Sequence, residues 1–267
     1  MGFEQKKINH IFHYTKKISL LKSVLKNGFA PSYCIEKVGD NNYYIPMVSF
    51  CNISIKDVEL YARYGDYGIG MSLDWAIKNA ISPVVYTHEN TKFRNIHNNI
   101  NNIQIWNLIE QMLPNIIEAK LNGNNDNTDY SQYEKIIQEV NRITVPAIQH
   151  FKNWKVQYKE KEIITYLERE WRYIPNLPED VSNIIHENEN EFQLLKNNEF
   201  RKKPHFPELA LQINEISDLR YIMIKNESQR TSIINILYKK YGKEKVIDSI
   251  LNGRLLIFSA KNIKNDF

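Results

Sequence analysis

Two periodicities share this chain, and their order limits what it can fold into. From about residue 90 to residue 150 apolar side chains recur at helical spacing: Ile103, Trp106, Ile109 and Leu113, then Tyr133, Ile136, Ile137 and Val140. Before and after that stretch lie short runs that alternate with period two or are rich in β-branched and aromatic residues, as strands are. A helical pair inserted between two groups of strands is therefore expected, its halves joined by the polar loop LNGNNDNTDYSQ. The order predicts an α+β protein, one domain over residues 1–267 with a helical insert at about 90–150. Spacing alone leaves open whether the pair carries function or only packs.

The flanking elements follow from local pattern. His10 to Thr15 reads as a strand with Ile11 and His13 on one face and Phe12 and Tyr14 on the other. Ser19 is expected to cap a helix whose apolar stripe is Leu20, Leu21, Val24 and Leu25 and whose exit is Gly28. Strands are expected at Tyr43 to Phe50, Gly68 to Ser72 and Pro83 to Thr87, with helices from Ser54 and over Leu73 to Ala80. After the insert, strands resume at Lys155 to Tyr158 and Ile163 to Ile174, and a polar segment from Pro178 to Pro204 is expected to wander over the surface. The tail reads as a strand (Arg220 to Ile224), two helices (Ser228 to Tyr241 and Val246 to Leu251) and a last strand (Leu255 to Phe258).

Composition excludes more functions than it suggests. At 42% hydrophobic and 25% charged residues, the chain has the balance of a globular protein with an ordinary core. Basic residues exceed acidic ones by 35 to 31, too small a surplus to mark a nucleic-acid binder. No apolar run approaches the roughly 18 residues of a membrane span. The segment MGFEQKKINH lacks a signal-peptide core, so a cytoplasmic protein with no membrane association is expected. Cys34 and Cys51 lack the spacing of a zinc-ligand pair and are expected as reduced thiols. No metal site is expected, and a metal-dependent nuclease has nothing behind it but scattered His and acidic residues.

Three blocks carry the candidate chemistry. The first is His13-Tyr14-Thr15, at a strand end leading into a helix. The second runs from Tyr64 through Tyr67 to Gly70, where three glycines permit close approach of backbone or ligand. The third is Glu168-Arg169-Glu170-Trp171-Arg172. As a strand, the third would put Glu168, Glu170 and Arg172 on one face, with the carboxyl groups about 7 Å apart. Two carboxylates side by side raise each other's pKa and a guanidinium lowers it again, which suits a cleft where a cationic intermediate forms. The same pattern also describes a solvated ion-pair ladder, and His13, Tyr64 and Tyr67 singly read equally as structural residues.

Together the blocks resemble a known family. HYTKKISLLKSVLKNGFAPSYC, IPMVSFCNIS, YGDYGIGMSLDWAIKNAISPVVY and EREWRYIP are similar, in order and approximate spacing, to the AbiGi abortive-infection proteins, over roughly residues 10–90 and 160–225. The resemblance implies phage defence, as the antitoxin half of a toxin–antitoxin system whose partner is a nucleotidyltransferase-like toxin. More distantly, the same blocks resemble ADP-ribosyltransferases of the His-Tyr-Glu type. That implies an ADP-ribosyltransferase-like split mixed sheet, NAD as substrate, and a protein or nucleic-acid acceptor. Carried over, His13 and Thr15 would grip NAD, Tyr67 or Tyr64 would stack on nicotinamide, and Glu170 would be catalytic with Glu168 assisting, all in one hollow. Gly70 and Met71 depart from that pattern by standing where aromatic residues are usual. The rival expectation is a non-enzymatic antitoxin that binds its partner toxin or operator DNA.

Overall fold

The computed structural model describes residues 8–55, 57, 64–91, 142, 144–158, 160–178, 180–197 and 205–261. The helical pair expected between Ile103 and Val140 lies outside the described residues, as does most of the helix expected from Ser54.

The chain enters through β1 (His10–Thr15) and α1 (Ile18–Asn27), which turns Leu21 and Leu25 inward. The cap of α1 is Lys17 rather than Ser19, because the Leu20 and Leu21 N–H groups already donate to the Lys17 carbonyl at 3.1 and 3.2 Å. Gly28 ends the helix with φ 83°, and a Cβ there would stand 2.3 Å from the Leu211 carbonyl oxygen. Next come β2 (Ser32–Val38) and β3 (Asn41–Cys51), a hairpin across Gly39 and Asp40. Strand β2 escaped the periodicity argument. The hairpin leads to β4 (Tyr67–Ser72) and α2 (Leu73–Lys78), whose N-cap Ser72 Oγ accepts from the Trp75 N–H at 3.1 Å.

Short strands β5 (Ser82–Pro83) and β6 (Val85–Thr87) follow, and after the insert β7 (Phe151–Asn153) pairs parallel with β6. The hairpin of β8 (Lys155–Tyr158) and β9 (Lys161–Ile164) comes next. The single strand expected from Ile163 to Ile174 is broken. A 3-10 turn spans Thr165–Glu168, Arg169 adopts the left-handed conformation at φ 44° and ψ 53°, and β10 (Glu170–Tyr173) starts only then. The polar stretch after Pro178 is not wholly superficial. There β11 (Ile185–His186) pairs with β3, and α3 (Asn190–Lys196) buries Phe192 and Leu195 in a cluster with Tyr33, Tyr44 and Ile185. The chain closes with β12 (Leu219–Ile224), α4 (Arg230–Tyr241), α5 (Lys243–Leu251) and β13 (Leu256–Ser259).

The main described sheet runs β13-β12-β4-β1-β3-β10-β5, with β2 and β11 also on β3. It is mixed: β12 and β13 are parallel, while β1, β3, β4, β10 and β12 pair antiparallel. An α+β architecture is what the alternation of elements predicted. One face carries α1, α2, α4 and α5 over Ile11, Phe50, Tyr67, Ile69 and Ile222. The other carries an aromatic layer of Phe12, Tyr14, Tyr64, Tyr221 and Phe258. Gly70 makes that layer possible, since a Cβ there would meet Tyr221 Cβ at 2.8 Å and Phe12 Cε1 at 2.9 Å.

Candidate functional site

Strand register decides which candidates meet. Residues directly opposite one another on adjacent strands share a face. Phe12 stands opposite Cys51 and Cys51 opposite Glu170, so Glu170 and Arg172 lie on the aromatic face with Phe12 and Tyr14. His13 stands opposite Ile69 and Thr15 opposite Tyr67, on the helix-covered face. The sheet thus separates His13, Thr15 and Tyr67 from Glu170 instead of gathering them in one hollow.

Each separated residue has a packing role. The His13 Nδ1–H donates to the Ser49 carbonyl at 2.9 Å, and the ring meets Phe29 and Phe50 edge-on. Burial lowers the His13 pKa, only partly offset by the Ser49 carbonyl, so the imidazole is neutral near pH 7. Tyr67 is buried in the main core and its hydroxyl accepts from Gln229 Nε2 at 3.0 Å. Thr15 is buried at the end of β1.

Tyr64, Glu168 and Glu170 do converge, around a lysine that the motifs did not single out. The Tyr64 hydroxyl donates to Glu168 Oε1 at 2.6 Å. Lys152 Nζ on β7 lies 3.2 Å from Glu168 Oε2 and 3.8 Å from Glu36 Oε2, and donates a short hydrogen bond to Glu170 Oε2. Arg172, completely buried, pairs through Nε with Glu170 Oε1 at 2.7 Å and through Nη2 with Glu36 Oε2 at 2.8 Å. Its Nη1 donates to the Gln149 carbonyl at 2.7 Å. Tyr86 joins by accepting the Glu170 N–H at 2.7 Å.

Backbone geometry explains the convergence. The left-handed Arg169 interposes a turn between the two glutamates, so both carboxylates reach Lys152 although only Glu170 belongs to the strand. Glu36 arrives because Asn153 clamps the hairpin tip, its Oδ1 accepting from Gly39 N–H and its Nδ2 donating to Gly39 O, both at 2.9 Å.

The electrostatics follow from burial. Burial alone would push the Glu170 carboxyl up, but Arg172 and then Lys152 outweigh it and hold the pKa at about 2. For Lys152, burial works against the charged form, yet Glu36, Glu170 and Glu168 raise its pKa well above the ordinary value. Three carboxylates face two permanent cations, which leaves one negative charge in excess.

Beside this cluster opens a cleft of about 750 Å³, large enough for a nucleotide-sized ligand. Glu36, Tyr64, Lys152 and Glu168 line it together with Trp154 and Lys16, whereas Glu170 does not. Of the two glutamates in the third block, Glu168 lines the cleft and Glu170 is held behind it. No His/Cys/Asp/Glu group suited to a metal ion occurs among the described residues. Glu36 was within reach of sequence argument, because Gly39-Asp40 between two alternating runs is a hairpin signal. Nothing local marks Lys152 or Tyr86.

Comparison with known proteins bears on this arrangement. A family model described as "Putative abortive phage resistance protein AbiGi, antitoxin" matches residues 27–225. The chain belongs to the AbiGi family. An AbiGi relative, the abortive phage resistance protein AbiGi of Lactococcus lactis subsp. cremoris, is 24% identical over 242 residues, covering 84% of this chain and 90% of that protein. The span matched by the AbiGi model contains Glu36, Tyr64, Lys152, Trp154, Glu168, Glu170 and Arg172 and begins after His13 and Thr15. No solved structure matches. No described helix is long and apolar enough to cross a membrane.

Proposed function

We propose that this AbiGi-family chain acts in abortive phage resistance as an NAD-binding protein of ADP-ribosyltransferase type, with Glu168 as the carboxylate at the reacting ribose. The observation that carries the proposal is the Glu168 carboxylate, oriented by Tyr64 and Lys152, on the wall of a nucleotide-sized cleft. Oxidised NAD suits such a wall, since its nicotinamide is a planar cation and the cluster, Glu168 included, sets three carboxylates against two cations. Exposed Lys16 and Lys37 on the same lining supply positive charge for the diphosphate.

The chemistry is charge stabilisation. The bond from ribose C1 to the nicotinamide nitrogen breaks, its electron pair leaves with the ring, and positive charge develops on the ribose beside Glu168. An acceptor hydroxyl or amine adds to C1, and its proton passes to the carboxylate. Glu170 does not touch the ligand in this scheme. It fixes Lys152, which fixes Glu168. Of the two candidate tyrosines, Tyr64 lines the cleft and in this scheme meets the ligand, while His13, Thr15 and Tyr67 support the sheet.

Calorimetric titration with NAD, together with release of nicotinamide from labelled NAD, tests this. Wild type is expected to bind and Glu168→Gln to bind without releasing nicotinamide. Absence of both binding and release in wild type would discard the proposal.

A second role is favoured by the antitoxin description of the family. In it the chain binds its cognate toxin, and the exposed Ile164, Tyr166 and Leu167 offer apolar contact area. Co-purification with the product of the neighbouring gene tests it, and a Leu167→Asp variant that co-purifies undiminished would exclude this surface.

A further inference from the structure

We infer that Trp154, backed by Tyr166, is a stacking platform for the adenine-type base of a nucleotide held in the cleft. The inference deepens the NAD proposal and rests on it for the choice of ligand, but its own test separates the two.

The starting point is an aromatic residue that the fold leaves uncovered. Trp75 is buried in the main core, whereas Trp154 is 38% exposed and stands on the cleft lining. Its indole is not a loose surface ring. The Tyr166 ring stacks on it with centroids 5.1 Å apart and planes 25° from parallel, and Tyr86 meets Tyr166 edge-on at 5.3 Å. Trp154 belongs to the cleft lining and Tyr166 does not, so the ring stacked on the indole stands outside that lining.

The backbone beneath the indole is held at both polar groups. The Trp154 N–H donates to the Thr87 carbonyl at 2.7 Å, and the Trp154 carbonyl accepts from Thr165 N–H at 2.9 Å and Thr165 Oγ1 at 2.8 Å. A second link joins the platform to the ion cluster, because Tyr86, which braces Tyr166, also accepts the Glu170 N–H. Trp154 and Glu168 both line the one cleft.

A half-exposed tryptophan on a cavity lining is a stacking partner for a planar heteroaromatic ring, and such stacking tolerates any base but favours the larger purine face. Ribose hydroxyls and a second, cationic ring would extend from that base toward Glu168 and Tyr64. The class of ligand is thus an adenine nucleotide, free or as half of a dinucleotide.

The test uses the full chain with three probes, AMP, nicotinamide mononucleotide and NAD, titrated calorimetrically against wild type, Trp154→Ala and Trp154→Phe. Thermal unfolding confirms that each variant folds, which the exposure of the indole favours. AMP is expected to bind wild type, to lose about tenfold or more in affinity with Trp154→Ala (about 1.4 kcal/mol per tenfold), and to recover most of it with Trp154→Phe. If AMP binds in that Trp154-dependent way while nicotinamide mononucleotide and NAD do not bind, the platform stands and the NAD proposal falls. If NAD binds equally to wild type and Trp154→Ala, the NAD proposal stands and the platform is overturned. AMP that fails to bind wild type at millimolar concentration overturns the platform as well.

Discussion

Replacing Arg172 by methionine removes the cation on which the buried cluster depends. The guanidinium is completely buried, pairs with Glu170 at 2.7 Å and Glu36 at 2.8 Å, and donates to the Gln149 carbonyl at 2.7 Å. Without it three carboxylates share Lys152 alone, and breaking such a buried arrangement from one side costs about 3–5 kcal/mol. An independent route gives a similar magnitude. Glu170 has a native pKa of about 2 against an ordinary 4.5, which corresponds to about 3 kcal/mol of pH-linked stability. Because the folded pKa is the lower one, that stability is present above about pH 4.5 and is lost as pH falls toward 2. In Arg172→Met, burial is no longer outweighed, the Glu170 pKa rises, and the pH-linked part disappears. Urea unfolding at pH 7, 5 and 3.5 is the assay. The variant is expected to be about 3–5 kcal/mol less stable at pH 7, with the gap to wild type narrowing below pH 4.5. A loss under about 1 kcal/mol at neutral pH, or a gap that ignores pH, would refute the reasoning.

Three further outcomes are expected. Gly70→Ala should destabilise by about 1–3 kcal/mol in urea titration, because the new methyl would meet Tyr221 Cβ at 2.8 Å and Phe12 Cε1 at 2.9 Å; an unchanged midpoint would contradict the aromatic layer. Tyr64→Phe deletes the 2.6 Å hydrogen bond to the Glu168 carboxylate and should cost about 1.5–3 kcal/mol of stability in urea titration, and under the proposed NAD chemistry it should slow nicotinamide release more than it weakens NAD binding. His13 has a folded pKa below its ordinary 6.5, so its contribution to stability is full above that value and is lost as pH falls. An NMR titration in which the His13 ring protonates at or above 6.5 would refute its description as a half-buried, neutral donor to Ser49.

Much of the architecture was legible because it depends on local pattern. Alternation in His10–Thr15 gave a strand, the short run Gly68 to Ser72 read as another that begins one residue earlier, and the stripe through Leu21 and Leu25 gave a helix that stops at Gly28. The errors have local causes too. Ile163 to Ile174 is rich in strand-forming residues on either side of its charged centre, yet Arg169 takes a left-handed turn in the middle of it, a conformation that composition does not announce. The stretch after Pro178 is polar on average, but Ile185, Phe192 and Leu195 suffice to anchor it on Tyr44. At the site, Tyr64, Glu168 and Glu170 were recognisable from their motifs and Glu36 lay within reach of the Gly39-Asp40 hairpin signal, whereas Lys152 and Trp154 were not, since single residues in separate elements leave no spacing to read.

The primary chain by itself determined the class of fold and the kinship with AbiGi proteins, because strand and helix periods and ordered sequence blocks are properties of neighbouring residues. It also determined that His13 and Phe12 must point to opposite faces of their own strand. Only the tertiary structure decided which of those faces Glu170 shares, because that parity passes through the pairing of Phe12 with Cys51 and of Cys51 with Glu170. The same long-range register brings Lys152 and Arg172 to three carboxylates drawn from distant segments. Charges that far apart in sequence interact strongly only once folding removes the water between them.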